Sequence, residues 1–318
     1  MEKTIKKQFI QNIIRGDFFA AQEQLCNFNE EEINEILILL AYDQYNFCSY
    51  AFAAFLLSTN SNITFHRFAR NVTELGISFI AGAYSTAAYH ARSIFEISRH
   101  NDPANTGGLF SLFGYPETPI RAEEIALIAK QVLKHDSQDL SALEALKDAV
   151  ERKEDPIVLS RNEREQFEQH ILAGKFTQAK QLLGVISERE LHAVLIYLGC
   201  EERNLCAYAF TWFLMQEKED AEVHYLAYRF VTQAYSRNLT GCDATGIFHL
   251  RRAMALEPQN EKYVEHFLML HTPPMVPTAL ISDNEAENVA KHALDRDRFN
   301  VVATNILKKM GRYDSKYD

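Results

Sequence analysis

The sequence predicts an all-α fold assembled from two tandem copies of one multi-helix unit. Three observations lead there. Only 12 glycines and 8 prolines occur in 318 residues, too few for the many corners of a β-rich chain. Apolar residues recur at helical spacing, as in Ile5, Phe9, Ile10, Ile13 and Ile14, and again in Ile125, Ile128, Ala129, Val132 and Leu133. The chain also matches itself along nearly its whole length.

That self-match begins at Gln8-Phe9-Ile10-Gln11, which runs parallel to Gln166-Phe167-Glu168-Gln169, an offset of 158. The same offset carries Ala21 onto Ala179, Leu25 onto Leu183, Cys48-Ser49-Tyr50-Ala51-Phe52 onto Cys206-Ala207-Tyr208-Ala209-Phe210, and His66 onto His224. After a one-residue slip, Val72-Thr73 meets Val231-Thr232, Gly82 meets Gly241 and His90 meets His249; a later slip aligns Ala129-Lys130 with Ala290-Lys291. The copies are expected at residues 1–156 and 157–318, divided by the charged stretch ending at Pro156. A chain of this length accommodates two domains, each with a core of its own. Ser160 and Glu163 have the spacing of a capping box that would open the second copy.

Within each copy, Asn29-x-x-Glu32 and Ser187-x-x-Glu190 are capping boxes that start the third helix. Phe47 to Leu57 and Leu205 to Met215 are apolar on every side, which predicts helices enclosed by other helices. Each is about half of the roughly 20 residues that span a bilayer, so they read as core. The start of the chain lacks the apolar run of a secretory signal. Five cysteines without CxxC spacing read as reduced, small, buried residues of a cytoplasmic protein. Both copies are net acidic and the whole chain carries −10, which argues against nucleic-acid binding.

Several turns resemble those of tetratricopeptide (TPR) repeats. Gly16-Asp17-Phe18-x-x-Ala21, Gly174-Lys175-Phe176-x-x-Ala179 and Gly82-Ala83-Tyr84-Ser85-Thr86-Ala87 follow the family's helix-turn-helix pattern. Gly241, Gly246, Ala253, Leu256, Pro258 and Asn260 occupy the corresponding turn, second-helix and helix-end positions. Glycine permits the tight turn, a small residue lets two helices approach, and proline stops the second helix. The resemblance implies a TPR-like α-α superhelix, a right-handed α-solenoid, that binds another protein or a peptide on its concave face. Carried over residue by residue, that groove would be lined by Ala69, Val72, Thr73, Gly76, Tyr228, Val231, Thr232 and Tyr235. Lys6 falls where the family's carboxylate-clamping lysine lies, but Ile10 replaces the accompanying asparagine, so capture of a C-terminal carboxylate is not expected. A peptide-sensing regulator, similar to the TPR-based receptors of Gram-positive bacteria, is the alternative, although the match starting at Gln8 leaves no room for an N-terminal output domain. An immunity or inhibitor-type protein is a variant of the interaction reading.

Catalytic motifs are not expected. The chain has no HExxH, Walker loop or Gly-x-Ser-x-Gly elbow, so it reads as neither an enzyme nor a cofactor or metal carrier. The repeated histidines His66, His90, His224 and His249 should lie on adjacent helices, buried and held by hydrogen bonds. Glu123 and Glu124 fit the first turn of a helix. Pro116-Glu117-Thr118-Pro119 and Pro274-Met275-Val276-Pro277 read as connections that break helices.

Overall fold

The computed structural model describes residues 2–98, 105–115, 118–152, 162–236, 239–271 and 280–314. Among these residues the chain forms eighteen α-helices and no β-strand. The N-terminal half contains α1 (Glu2–Ile14), α2 (Phe18–Glu23), α3 (Glu30–Gln44), α4 (Cys48–Thr59), α5 (Ile63–Asn71), α6 (Ala83–Ile97), α7 (Gly107–Phe113), α8 (Ala122–His135) and α9 (Leu140–Glu151). The C-terminal half contains α10 (Glu163–Leu172), α11 (Phe176–Gln181), α12 (Glu188–Ile196), α13 (Leu205–Met215), α14 (Ala221–Phe230), α15 (Cys242–Leu256), α16 (Glu261–Leu270), α17 (Asp283–Arg296) and α18 (Val301–Lys309).

Local chemistry sets many of these ends. Asn29 Oδ1 accepts from the Glu32 amide at 2.9 Å while the Glu32 carboxylate accepts from the Asn29 amide at 2.9 Å, and Ser187 with Glu190 closes the same box. The box expected at Ser160 is corrected. Asn162 caps α10, its side chain accepting from the Arg164 amide at 2.9 Å, while Ser160 itself lies outside the described residues. Glu123 and Glu124 do occupy the first turn of α8. The α5 and α14 helices each run into a π-helical turn, Val72–Gly76 and Val231–Tyr235. The α14 helix has 10 residues and α5 has 9, which is where the sequence offset slips by one.

The two apolar helices are the innermost elements. Every residue from Cys48 to Leu57 is buried, as is every residue from Leu205 to Trp212. The main core is not divided between halves: Phe9, Phe18, Phe52 and Ala69 share one cluster with Phe167, Phe176, Phe210 and Val231. Rings cross the boundary directly, Phe47 to Tyr208 at 5.0 Å and Phe18 to Phe248 at 4.7 Å. Separate smaller cores lie under α7–α9 and under α16–α18. The expected division at Pro156 falls in 153–161, outside the described residues.

The halves interlock through reciprocal contacts. The Phe47 amide donates to Thr240 O at 2.9 Å, and the Leu205 amide donates to Ala81 O at 2.8 Å. Asn46 Oδ1 caps the Cys48 amide and lies against Gly241; Asn204 Oδ1 caps the Cys206 amide and lies against Gly82. Both glycines are left-handed, at φ +78° and +80°, and leave no space for a side chain. Cys48 Sγ donates to Gly241 O and Cys206 Sγ to Gly82 O, at 3.2 and 3.4 Å. Burial pushes both thiols up to about 12, so they act as small apolar groups. Cys242 is buried too, but Cys26 is exposed and Cys200 half-buried, so the expectation of five buried cysteines holds for three. Among the described residues no helix is long and apolar enough to cross a membrane.

Candidate functional site

The residues carried over from the TPR resemblance do not present a face. Ala69, Val72, Thr73, Gly76, Tyr228, Val231 and Tyr235 are buried, and Thr232 is half-buried. The cause is local. Gly76 packs directly on Ala41 of α3, and Gly246 of α15 packs on Thr232 and Tyr228, so neighbouring helices already cover the positions expected to line a groove. Thr73 and Thr232 turn their hydroxyls back onto the carbonyls of Ala69 and Tyr228.

The repeated histidines do come together, in two pairs. His66 Nδ1 meets His90 Nδ1 at 3.0 Å, and His224 Nδ1 meets His249 Nδ1 at 2.8 Å. Behind each pair a buried tyrosine from the innermost helix closes the line, Tyr50 on His90 Nε2 at 3.3 Å and Tyr208 on His249 Nε2 at 3.0 Å. All four imidazoles are buried and pushed below their usual range, because burial penalises the charged ring; His66 falls to about 4. The polar groups are strung out in a row, with each ring using one nitrogen for its partner ring and the other for an outer group.

The outer groups differ. His66 Nε2 meets the Ser61 hydroxyl at 3.2 Å, whereas His224 Nε2 meets the Glu219 carboxylate at 2.9 Å. Glu219 is held by Arg252 as well, through Nε at 2.8 Å and a terminal nitrogen at 2.6 Å. The bonds from His224 and Arg252 lower the Glu219 carboxyl to about 2, so it is ionised and only accepts. This fixes the order of protons. The neutral His224 donates Nε2–H to Glu219 and accepts at Nδ1 from His249 Nδ1–H, and His249 Nε2 accepts from the Tyr208 hydroxyl. In the His66 row, the terminal Ser61 hydroxyl can donate or accept, so it does not impose a direction.

Arg252 and Glu219, with the buried His224 behind them, line a cleft of about 120 Å³ together with Phe19, Phe55, Ser58, Thr59, Trp212, Met215 and Phe248. The Arg252 guanidinium lies 5.2 Å from the centroid of Phe19. Comparison with protein-family models, curated proteins and solved structures returns no match. The site is therefore read from its own geometry. His66, beside Ser61, is backed by a neutral imidazole, and burial pushes it down to about 4.

The sequence reading placed the histidines correctly but did not single out Glu219, Arg252 or the cleft. A signal existed. Where the self-match pairs most positions by similar residues, Glu219 stands opposite Ser61 and Arg252 opposite Ser93, so one histidine pair gains a carboxylate and a guanidinium that the other lacks.

Proposed function

We propose that this chain is a non-catalytic interaction protein, built from two tandem TPR-like copies and binding another protein or a peptide. The reciprocal caps at Asn46 and Asn204 and the matched histidine rows support the two-copy reading. With the expected groove positions buried, the binding surface is reassigned to an aromatic seam where α3 lies beside the Val72–Gly76 turn. Leu39, Tyr42, Tyr45, Leu75 and Phe79 are all exposed there, Tyr42 at 63% and Phe79 at 57%, and the rings of Tyr45 and Phe79 meet edge to face at 5.5 Å. This exposed cluster is the observation that carries the proposal. Large apolar and aromatic side chains are costly to leave in water as a group, and aromatic anchors dominate protein interfaces.

The test is copurification of the tagged chain from its native host, with a Tyr42→Asp/Phe79→Asp double variant in parallel. The expected result is one stoichiometric polypeptide retained by the wild type and lost by the variant. Equal recovery with both proteins would remove the seam as the interface, and no retained polypeptide or peptide would overturn the interaction reading.

A further inference from the structure

The cleft beside His224 suggests a second, separate activity. Its walls are four aromatic rings: Trp212 and Phe248 stack at 24° with centroids 6.2 Å apart, and Phe55 meets both Phe248 and Phe19 edge to face, at 5.6 and 5.0 Å. Its polar mouth is electrically balanced, since Glu219 is ionised, Arg252 is charged and His224 is neutral. A charged ligand would have to compete with an ion pair already made through two hydrogen bonds. An uncharged ring faces no such competition. The volume, about 120 Å³, is close to the roughly 150 Å³ of an apolar cavity known to take benzene.

The equivalent place beside the other histidine row is built differently. There Gln216 Nε2 donates to the Tyr89 hydroxyl at 3.4 Å, and Tyr89 packs on Phe176 at 4.4 Å. In the cleft the self-match puts Ser58 opposite Gln216 and Phe248 opposite Tyr89. The cleft therefore has Ser58 and Phe248 where the other side has an amide and a phenol, and Phe19, Trp212 and Arg252 where the other side has Thr177, Ala54 and Ser93.

We propose that this cleft is a binding site for a small, uncharged aromatic molecule carrying a hydroxyl, a phenol-type ring. The ring lies among Phe19, Phe55, Trp212 and Phe248, and its hydroxyl takes up the polar mouth at Glu219 and Arg252. The site is separate from the aromatic seam, and variants at one leave the other intact.

The test uses the full chain and 4-fluorophenol, observed by fluorine NMR. Trp212 is the only tryptophan in the sequence, so protein labelled with 5-fluorotryptophan gives one further resonance that reports on the cleft itself. The expected result is saturable binding at one site, a shift of the Trp212 signal on titration with phenol, and at least tenfold weaker binding in Ser58→Gln, which puts a longer side chain into the cleft lining. No saturable binding, binding that leaves the Trp212 signal unmoved, or a folded Ser58→Gln that binds as well as wild type would each overturn the proposal. Displacement of 4-fluorophenol by tetramethylammonium but not by phenol would overturn it in favour of a cation site.

Discussion

The two histidine rows use the same three buried residue types and differ at their outer ends. Tyr50, His90 and His66 end on a serine hydroxyl, and the Tyr89 ring, bonded to Gln216, lies against His66. Tyr208, His249 and His224 end on an ionised carboxylate, which borders an open cleft. The shared part is structural: two imidazoles and a phenol satisfy one another where water cannot reach. The differing part carries the chemistry, because a charged terminus orients the whole row and brings its end to the surface.

The comparison can be broken most forcefully at the shared part. His249→Ala removes a buried ring and the hydrogen bonds that the Tyr208 hydroxyl and His224 Nδ1 make to it; a loss of about 3–5 kcal/mol is expected in urea unfolding. His90→Ala is expected to cost a similar amount. If one were harmless, the rows would not be equivalent in the core.

Acid probes the same residues. Burial pushes His66 down to about 4 in the folded chain, against 6.5 for an unburied imidazole, so between these pH values the unfolded chain binds the extra proton. Its contribution is fully present above pH 6.5 and is lost as the pH falls towards 4, about 3 kcal/mol in all. The other three histidines shift in the same direction. Chemical denaturation at pH 7.5 and pH 5 should show stability falling with pH, and His66→Gln should flatten the slope.

The interlock gives a smaller effect. Gly82→Ala forces an unfavourable left-handed alanine against the Asn204 cap, and Gly241→Ala does the same against Asn46. Each is expected to cost about 2–3 kcal/mol, seen as a drop in melting temperature. Unequal costs would show which half depends more on its neighbour.

The smallest effect on stability separates the rows most sharply. Glu219→Ser gives the His224 row the terminus of the His66 row and should cost only about 1 kcal/mol, because Glu219 is partly in water. Nitrogen NMR of the imidazoles should show one fixed tautomer each for His224 and His249 in the wild type, and a mixture after the substitution. A mixture already present in the wild type would disprove the proton order derived from Glu219.

Features that depend on a few consecutive residues were legible in the sequence. The boxes at Asn29 and Ser187, the apolar helices at Cys48 and Leu205 and the left-handed glycines are set by short-range sterics and hydrogen bonding. The pairing of His66 with His90 and of His224 with His249 was also legible, because each pair recurs at equivalent places on neighbouring helices. The buried state of Val72, Thr73, Val231 and Tyr235 was not, because apolar spacing marks which side of a helix is covered without saying by what. The start of α10 is capped by Asn162, two residues beyond the expected Ser160, which lies outside the described residues.

By itself the sequence determined the helical class, the positions of many helix starts and which residues avoid water, since periodicity and capping act within a few turns. Only the tertiary structure decided that the halves exchange backbone hydrogen bonds across one shared core, that seven of the eight expected groove residues are buried, and that a cleft lies beside Glu219. Those outcomes depend on side chains 127 and 197 residues apart meeting in space, and a local pattern cannot encode the shape of a partner that far along the chain.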